Sequence, residues 1–148
     1  MADTPLAGGY ASHKIKKSDI ANDVHFTGQA VGNARNSEHI VDLSGTATLA
    51  FDKESGTSTL GASFNNWYDI QVADNGAIEF SNYTNKNNLL KLDAAPDSDG
   101  VITDTGAKMD VGYYAPKPDT GVPTEATGLV QYTEAASGIK MDIAFGTK

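Results

Sequence analysis

His39-Ile40-Val41-Asp42-Leu43-Ser44-Gly45-Thr46-Ala47-Thr48-Leu49-Ala50-Phe51-Asp52 is the stretch that decides the fold. Val41, Leu43, Gly45, Ala47, Leu49 and Phe51 fall on one side of an extended chain, and Asp42, Ser44, Thr46 and Thr48 on the other. No helical period sorts residues this way, whereas successive side chains of a strand point to opposite faces. Alternation along the whole stretch means one buried and one wet face. That is the pattern of antiparallel sheets and barrels, not of a parallel sheet covered on both sides.

The same reading extends outward. Val24 to Ala34 aligns Phe26, Gly28, Ala30 and Gly32; Ser58 to Phe64 aligns Leu60, Ala62 and Phe64; Trp67 to Ala73 aligns Tyr68, Ile70 and Val72; Ala77 to Tyr83 aligns Ile78 and Phe80. Further on, Ala107 to Tyr114 aligns Met109, Val111 and Tyr113. Glu125 to Thr133 aligns Ala126, Gly128, Val130 and Tyr132, and Gly138 to Phe145 aligns Ile139, Met141, Ile143 and Phe145. Lys53-Glu54-Ser55-Gly56 and Asp74-Asn75-Gly76 supply hairpin turns, because Asn and Gly tolerate the positive φ such turns demand. The expectation is an all-β fold: an eight-stranded antiparallel up-and-down β-barrel, whose closure removes exposed sheet edges. An extended N-terminal leader over residues 1–23, with the basic cluster Lys14-Ile15-Lys16-Lys17, precedes a barrel domain over 24–148. Residues 84–106 and 115–123 read as surface loops, and Leu89 to Leu92 as a short strand or helical turn within the first.

Composition narrows the function. The 148 residues suffice for one domain, with roughly 70% of the unfolded surface hidden on folding. Acidic groups outnumber basic ones 19 to 11, giving a net charge of −8 that repels a phosphate backbone, so nucleic acid is not an expected partner. Apolar runs fall far short of the ~20 residues a helix needs to cross a bilayer, so the chain is not expected to span a membrane that way. The start Met1-Ala2-Asp3-Thr4-Pro5 lacks the basic-then-apolar pattern of an export signal. Cysteine is absent, which removes disulfides, thiolate nucleophiles and Cys-based zinc sites.

No serine lies in a Gly-x-Ser-x-Gly setting, and no acid-base pair stands out, so no catalytic residue is assigned and an enzyme is not expected. His13, His25 and His39 attract notice because haem and transition metals favour imidazole, but their spacing carries no metal signature. Asp97-Ser98-Asp99-Gly100 holds only half of a calcium loop and reads as a solvated turn. Asn65-Asn66-Trp67-Tyr68 and Tyr113-Tyr114 are the aromatic clusters. Adjacent aromatics on a strand point to opposite faces, so one of each pair reaches the surface or rim. Asn65, Asn66, Trp67, Tyr113 and Tyr114 are accordingly the candidate partner or ligand contacts, with Trp67 alternatively capping a barrel end.

The run Gly45-Thr46-Ala47-Thr48-Leu49-Ala50-Phe51-Asp52, followed by a turn and Ser58-Thr59-Leu60-Gly61, is similar to the repeated barrel strands of the transferrin-binding protein B family. Met109 to Pro116, Thr124 to Val130 and the ending Met141-Asp142-Ile143-Ala144-Phe145-Gly146-Thr147-Lys148 resemble its closing strands. The resemblance covers residues 24–148. It extends to the hemophilins, secreted haem carriers exported through a Slam-type (type XI) outer-membrane translocon. It implies a non-enzymatic barrel domain of a secreted or bacterial cell-surface iron or haem acquisition protein, with that translocon and a host haem or iron protein as partners. The family pairs such a barrel with an N-terminal handle domain, for which the 23 leading residues have no room. A second reading is a lipocalin-type barrel that holds a small apolar ligand or haem itself. Gly28, Ala30, Gly45, Ala47, Ala62, Ala126 and Gly128 would leave room for it, and Phe51, Phe64, Phe80, Met141 and Phe145 would fill it.

Overall fold

The computed structural model describes residues 12–65, 67–82, 89–92, 102–104, 106–116 and 121–147. Within them the chain forms ten strands: β1 (Ser12–Ile15), β2 (Val24–Arg35), β3 (Ile40–Asp52), β4 (Thr57–Phe64), β5 (Asp69–Ala73), β6 (Ile78–Ser81), β7 (Ile102–Asp104), β8 (Ala107–Pro116), β9 (Glu125–Thr133) and β10 (Lys140–Thr147), with one 3-10 turn at Lys17–Asp19. All eight strands expected from alternation are present. Gly56 and Gly76 take φ of 71° and 96° in the hairpins read from sequence.

Every pairing is antiparallel, and the strands form one sheet in the order β1-β8-β9-β10-β2-β3-β4-β5-β6-β7. The ring of eight is thus corrected to ten strands, with no ladder between β1 and β7 among the described residues. The sheet nevertheless curls back on itself. Tyr113 on β8 meets Phe51 on β3 with ring centroids 5.6 Å apart, and its hydroxyl lies 2.7 Å from Ser58 Oγ on β4. Phe80 on β6 packs at 5.2 Å against Tyr132 on β9. Such contacts between strands far apart in the order require the two flanks to face each other.

The seam has a specific construction. Residues 102–104 pair with β6, and the chain rejoins the ladder at Ala107 against Tyr132 of β9, so one stretch of chain links the two flanks covalently. Beyond it, β1 pairs Ser12 to Ile15 with Pro116 to Tyr113. Residues 12–23, expected to be a leader, therefore belong in part to the sheet, and Ile15 and Ile20 are buried in the core. They strap one end of the molecule. Lys17 Nζ reaches Asp74 Oδ2 at 2.7 Å in the β5–β6 turn, Ala21 N–H donates to the Gly121 carbonyl, and the Lys53 N–H of the β3–β4 turn donates to Asp23.

Inward positions form one apolar cluster, and the outward positions of β2 and β3 carry Thr27, Gln29, Asp42, Ser44, Thr46 and Thr48. A wet coat over an apolar filling is the reverse of a barrel whose outer band faces lipid. Among the described residues, no helix is long and apolar enough to cross a membrane. Close strand approach explains some inward glycines: a Cβ at Gly28 would sit 2.0 Å from the Gly146 carbonyl oxygen, a distance only glycine tolerates.

Candidate functional site

Trp67 precedes β5, in the connection from β4, where the two-residue alternation does not yet apply. Trp67 and Tyr68 are consequently both buried, and the expectation that one of them reaches the surface is not met. The Trp67 ring packs edge-on against Tyr68 at 5.2 Å and Phe80 at 6.1 Å, and its Nε1–H donates to the Leu90 carbonyl at 3.1 Å. Leu90 and Leu92 are buried beside this cluster in the core, without forming a strand or helix. Trp67 thus acts as an anchor at one end of the curled sheet. Asn65 is exposed, its N–H donating to the Ser44 carbonyl; Asn66 lies outside the described residues, as does the Asp97 to Gly100 turn.

Tyr113 and Tyr114 divide between the faces as strand geometry requires. Tyr113 points inward and is 1% exposed. Burial pushes its phenol up to about 12; the Ser58 hydrogen bond pulls the other way, and the nearby Asp74 carboxylate adds to the rise. Asp74 Oδ2 accepts from both the Ser58 N–H, at 3.0 Å, and Lys17 Nζ. Lys17, Asp74, Ser58 and Tyr113 thereby form one polar chain joining the strap, the β5–β6 turn, β4 and β8. Sequence reading had no means to join these four, since the partners lie 16 to 57 residues apart. Tyr114 is half-buried on the outer face, where its ring lies over Gly112: a Cβ there would be 3.0 Å from the Tyr114 hydroxyl.

Of the five candidates, the structure brings together Tyr113 and Tyr114 by adjacency alone, leaves Trp67 and Tyr113 inaccessible to a partner, and offers Asn65 and the outer edge of Tyr114. The inward positions that would decide a ligand cavity carry Phe51, Phe64, Phe80, Met141 and Phe145, all buried. The space beside Gly128 is taken by the Phe145 ring, whose Cζ would lie 2.4 Å from an added Cβ. His25, the second residue of β2, is on the outer face, whereas His39 sits in the turn beyond the far end of that strand, so the two do not converge. Described grooves run along the outer wall; one of about 430 Å³ lies between the Asp74-Asn75-Gly76 turn and residues Ala107 to Asp110.

No family model matches the sequence, and no curated protein matches it as a relative. Among solved structures, the fold is similar to that of a Trp-176-Ala mutant of the vaccine antigen Transferrin Binding Protein B from Haemophilus parasuis Hp5. The TM-score is 0.51 at 12% identity, over 91% of this chain and 28% of the other. The chain thus corresponds in fold to a little over a quarter of that protein's length.

Proposed function

We propose that this chain is a non-enzymatic β-barrel domain of a secreted or surface-exposed bacterial iron or haem acquisition protein. It acts as a rigid scaffold and as the element read by a Slam-type outer-membrane translocon. The observation that carries this reading is the fold likeness, which takes in nearly all of this chain but only a domain-sized share of a transferrin-binding protein. The packing supports it. Inward positions are occupied by side chains, and Trp67 and Tyr113 serve as anchors, so recognition of a translocon or a host iron or haem protein falls to the outer wall and the loops.

The test is to fuse the chain to a periplasmic reporter and co-express it with a Slam-type translocon. The reporter is expected at the cell surface or in the medium only when the translocon is present. A reporter retained in both cases removes the export role. Immobilised chain exposed to iron-loaded transferrin and to haem-loaded haemoglobin addresses the host partner separately, and absence of binding to both confines the domain to scaffold duty.

A further inference from the structure

The chain is acidic overall, with a net charge of −8, yet one groove on its outer wall is cationic. It holds about 400 Å³ where β2 and β9 end and β8 and β10 begin, and Arg35, Lys108 and Lys140 line it with Asp142 as the one carboxylate. Register explains the gathering. Lys140 stands between Thr133 and Arg35 in one row across β9, β10 and β2, and Lys108, Gln131, Asp142 and Asn33 form the next. With strands about 4.8 Å apart and about 3.4 Å per residue, the Lys108 and Lys140 Cα atoms lie roughly 12 Å from each other, so both side chains can close on a group held between them.

Arg35, the only arginine of the sequence, is aimed in advance. Its Nη1 donates to Asn33 Oδ1 at 2.9 Å and to Asp142 Oδ2 at 2.7 Å, which fixes the guanidinium across β2 and β10. Among the described residues nothing engages its Nη2 and Nε, and Lys108 and Lys140 have no ion-pair partner. The neighbouring acids do not neutralise the groove. Asp110 stands one row beyond Lys108, beside Leu129 and outside the lining; Asp42 lies past Asn33 and is engaged within the chain; Glu134 is buried and accepts from Ser137 Oγ. The lining therefore carries an excess of two positive charges.

A guanidinium with one edge free, flanked by two ammonium groups, matches a tetrahedral oxyanion, which takes parallel N–H donors from arginine and point charges from lysine. The groove has room for more than the oxyanion, since small-molecule sites run roughly 300–1,000 Å³. The remaining polar groups suit hydroxyls. Gln131 and Thr133 are exposed, and Asp142 Oδ1 is left over from the bond to Arg35. We propose that this groove binds a sugar carrying a phosphate or sulfate ester, the oxyanion held by Arg35, Lys108 and Lys140 and the ring hydroxyls by Gln131, Thr133 and Asp142. The groove is open and its cations are in water, so binding is millimolar and weakens with salt.

NMR titration of the isotope-labelled full chain in low-salt chloride buffer, read on backbone amides and the Arg35 Nε–H, reaches that range. Glucose 6-phosphate and glucose 6-sulfate are the probes, with glucose and inorganic phosphate as references. Saturable shifts are expected at the ends of β2 and β9 and the starts of β8 and β10, for at least one ester, about threefold tighter than for inorganic phosphate, and not for glucose. The ratio between the two esters separates a phosphorylated from a sulfated source. Arg35→Gln is expected to weaken binding about tenfold and Lys108→Gln and Lys140→Gln about threefold each, whereas Lys14→Gln, on β1, leaves it unchanged. The same amide spectra check that each variant folds. No saturable shift with either ester up to about 50 mM overturns the proposal. So does inorganic phosphate binding as tightly as the esters, affinity indifferent to Arg35→Gln, or a loss with Lys14→Gln equal to that with Lys108→Gln.

Discussion

Tyr113→Phe isolates the polar chain at the seam. The ring, and with it the edge contact to Phe51 at 5.6 Å, is retained; only the hydroxyl bonded to Ser58 is lost. Ser58 is fully buried, so its Oγ loses a partner that water cannot replace, and at pH 7 the variant should be less stable by about 1–2 kcal/mol. Alkaline pH reverses this difference. The folded state holds the Tyr113 phenol at about 12 against 10.0 in the unfolded chain, so the unfolded state gives up its proton first. Stability from this group is complete below pH 10 and is lost as pH climbs through 12. Two pKa units at 1.36 kcal/mol each make about 2.7 kcal/mol, an upper figure. The wild-type advantage should therefore shrink above pH 10 and vanish or change sign near pH 12. Urea unfolding of both proteins at several values between pH 7 and 12 measures this, and subtracting the curves cancels the other titrating groups. A difference that stays constant with pH would refute the reasoning that Tyr113 is buried with its proton.

Trp67→Ala should cost about 3–5 kcal/mol in chemical denaturation, the range for emptying a core site of this size; a loss near zero would return Trp67 to the surface. Gly128→Ala, whose Cβ would meet the Asp110 carbonyl oxygen at 2.3 Å and the Phe145 ring, should destabilise by more than about 2 kcal/mol, whereas Gly146→Ala should change melting by less than about 0.5 kcal/mol. Ile20→Asp, which puts a carboxylate at a fully buried core position, should lower stability by about 3 kcal/mol or more. Hydrogen exchange should then show β1 and the paired half of β8 losing protection first.

Alternation made eight strands legible because one buried and one wet face impose a period of two on any strand long enough to display it. The stretch from 39 to 52 is the clearest case: Leu43, Ala47, Leu49 and Phe51 are all buried, as expected. β7 escaped because three residues are too few to show a period; β1, at four residues no shorter than β6, escaped because no hairpin turn announces it as Asp74-Asn75-Gly76 announces β6. Lys14, Lys16 and Lys17 gave residues 12–23 the look of a solvated tail, when Ile15 and Ile20 between and after them are what hold the strap down. Tyr113 and Tyr114 obeyed the rule of opposite faces; Trp67 and Tyr68 did not, since Trp67 stands before the strand begins. Tertiary closure, which decides where such a residue points, has no local signature.

The same closure determines where recognition can occur. One end carries the strap, with Ile15, Ile20 and the Ser58–Tyr113 pair beneath it; the other carries Trp67 with Leu90 and Leu92. Segments outside the regular strand pattern thus seat side chains at both ends of the curled sheet, and the large inward residues fill what lies between. A lipocalin-type ligand would have to displace Phe145 or Phe80 from contacts already made, at the cost of emptying a core, about 3 kcal/mol or more per aromatic. A macromolecular partner meets no such cost on the outer wall, where Leu129 and Val31 are already in water and gain by being covered. Binding by this fold is therefore expected to leave the core untouched, and partner affinity should respond to outward substitutions such as Leu129→Asp far more than to conservative inward ones such as Ile143→Val.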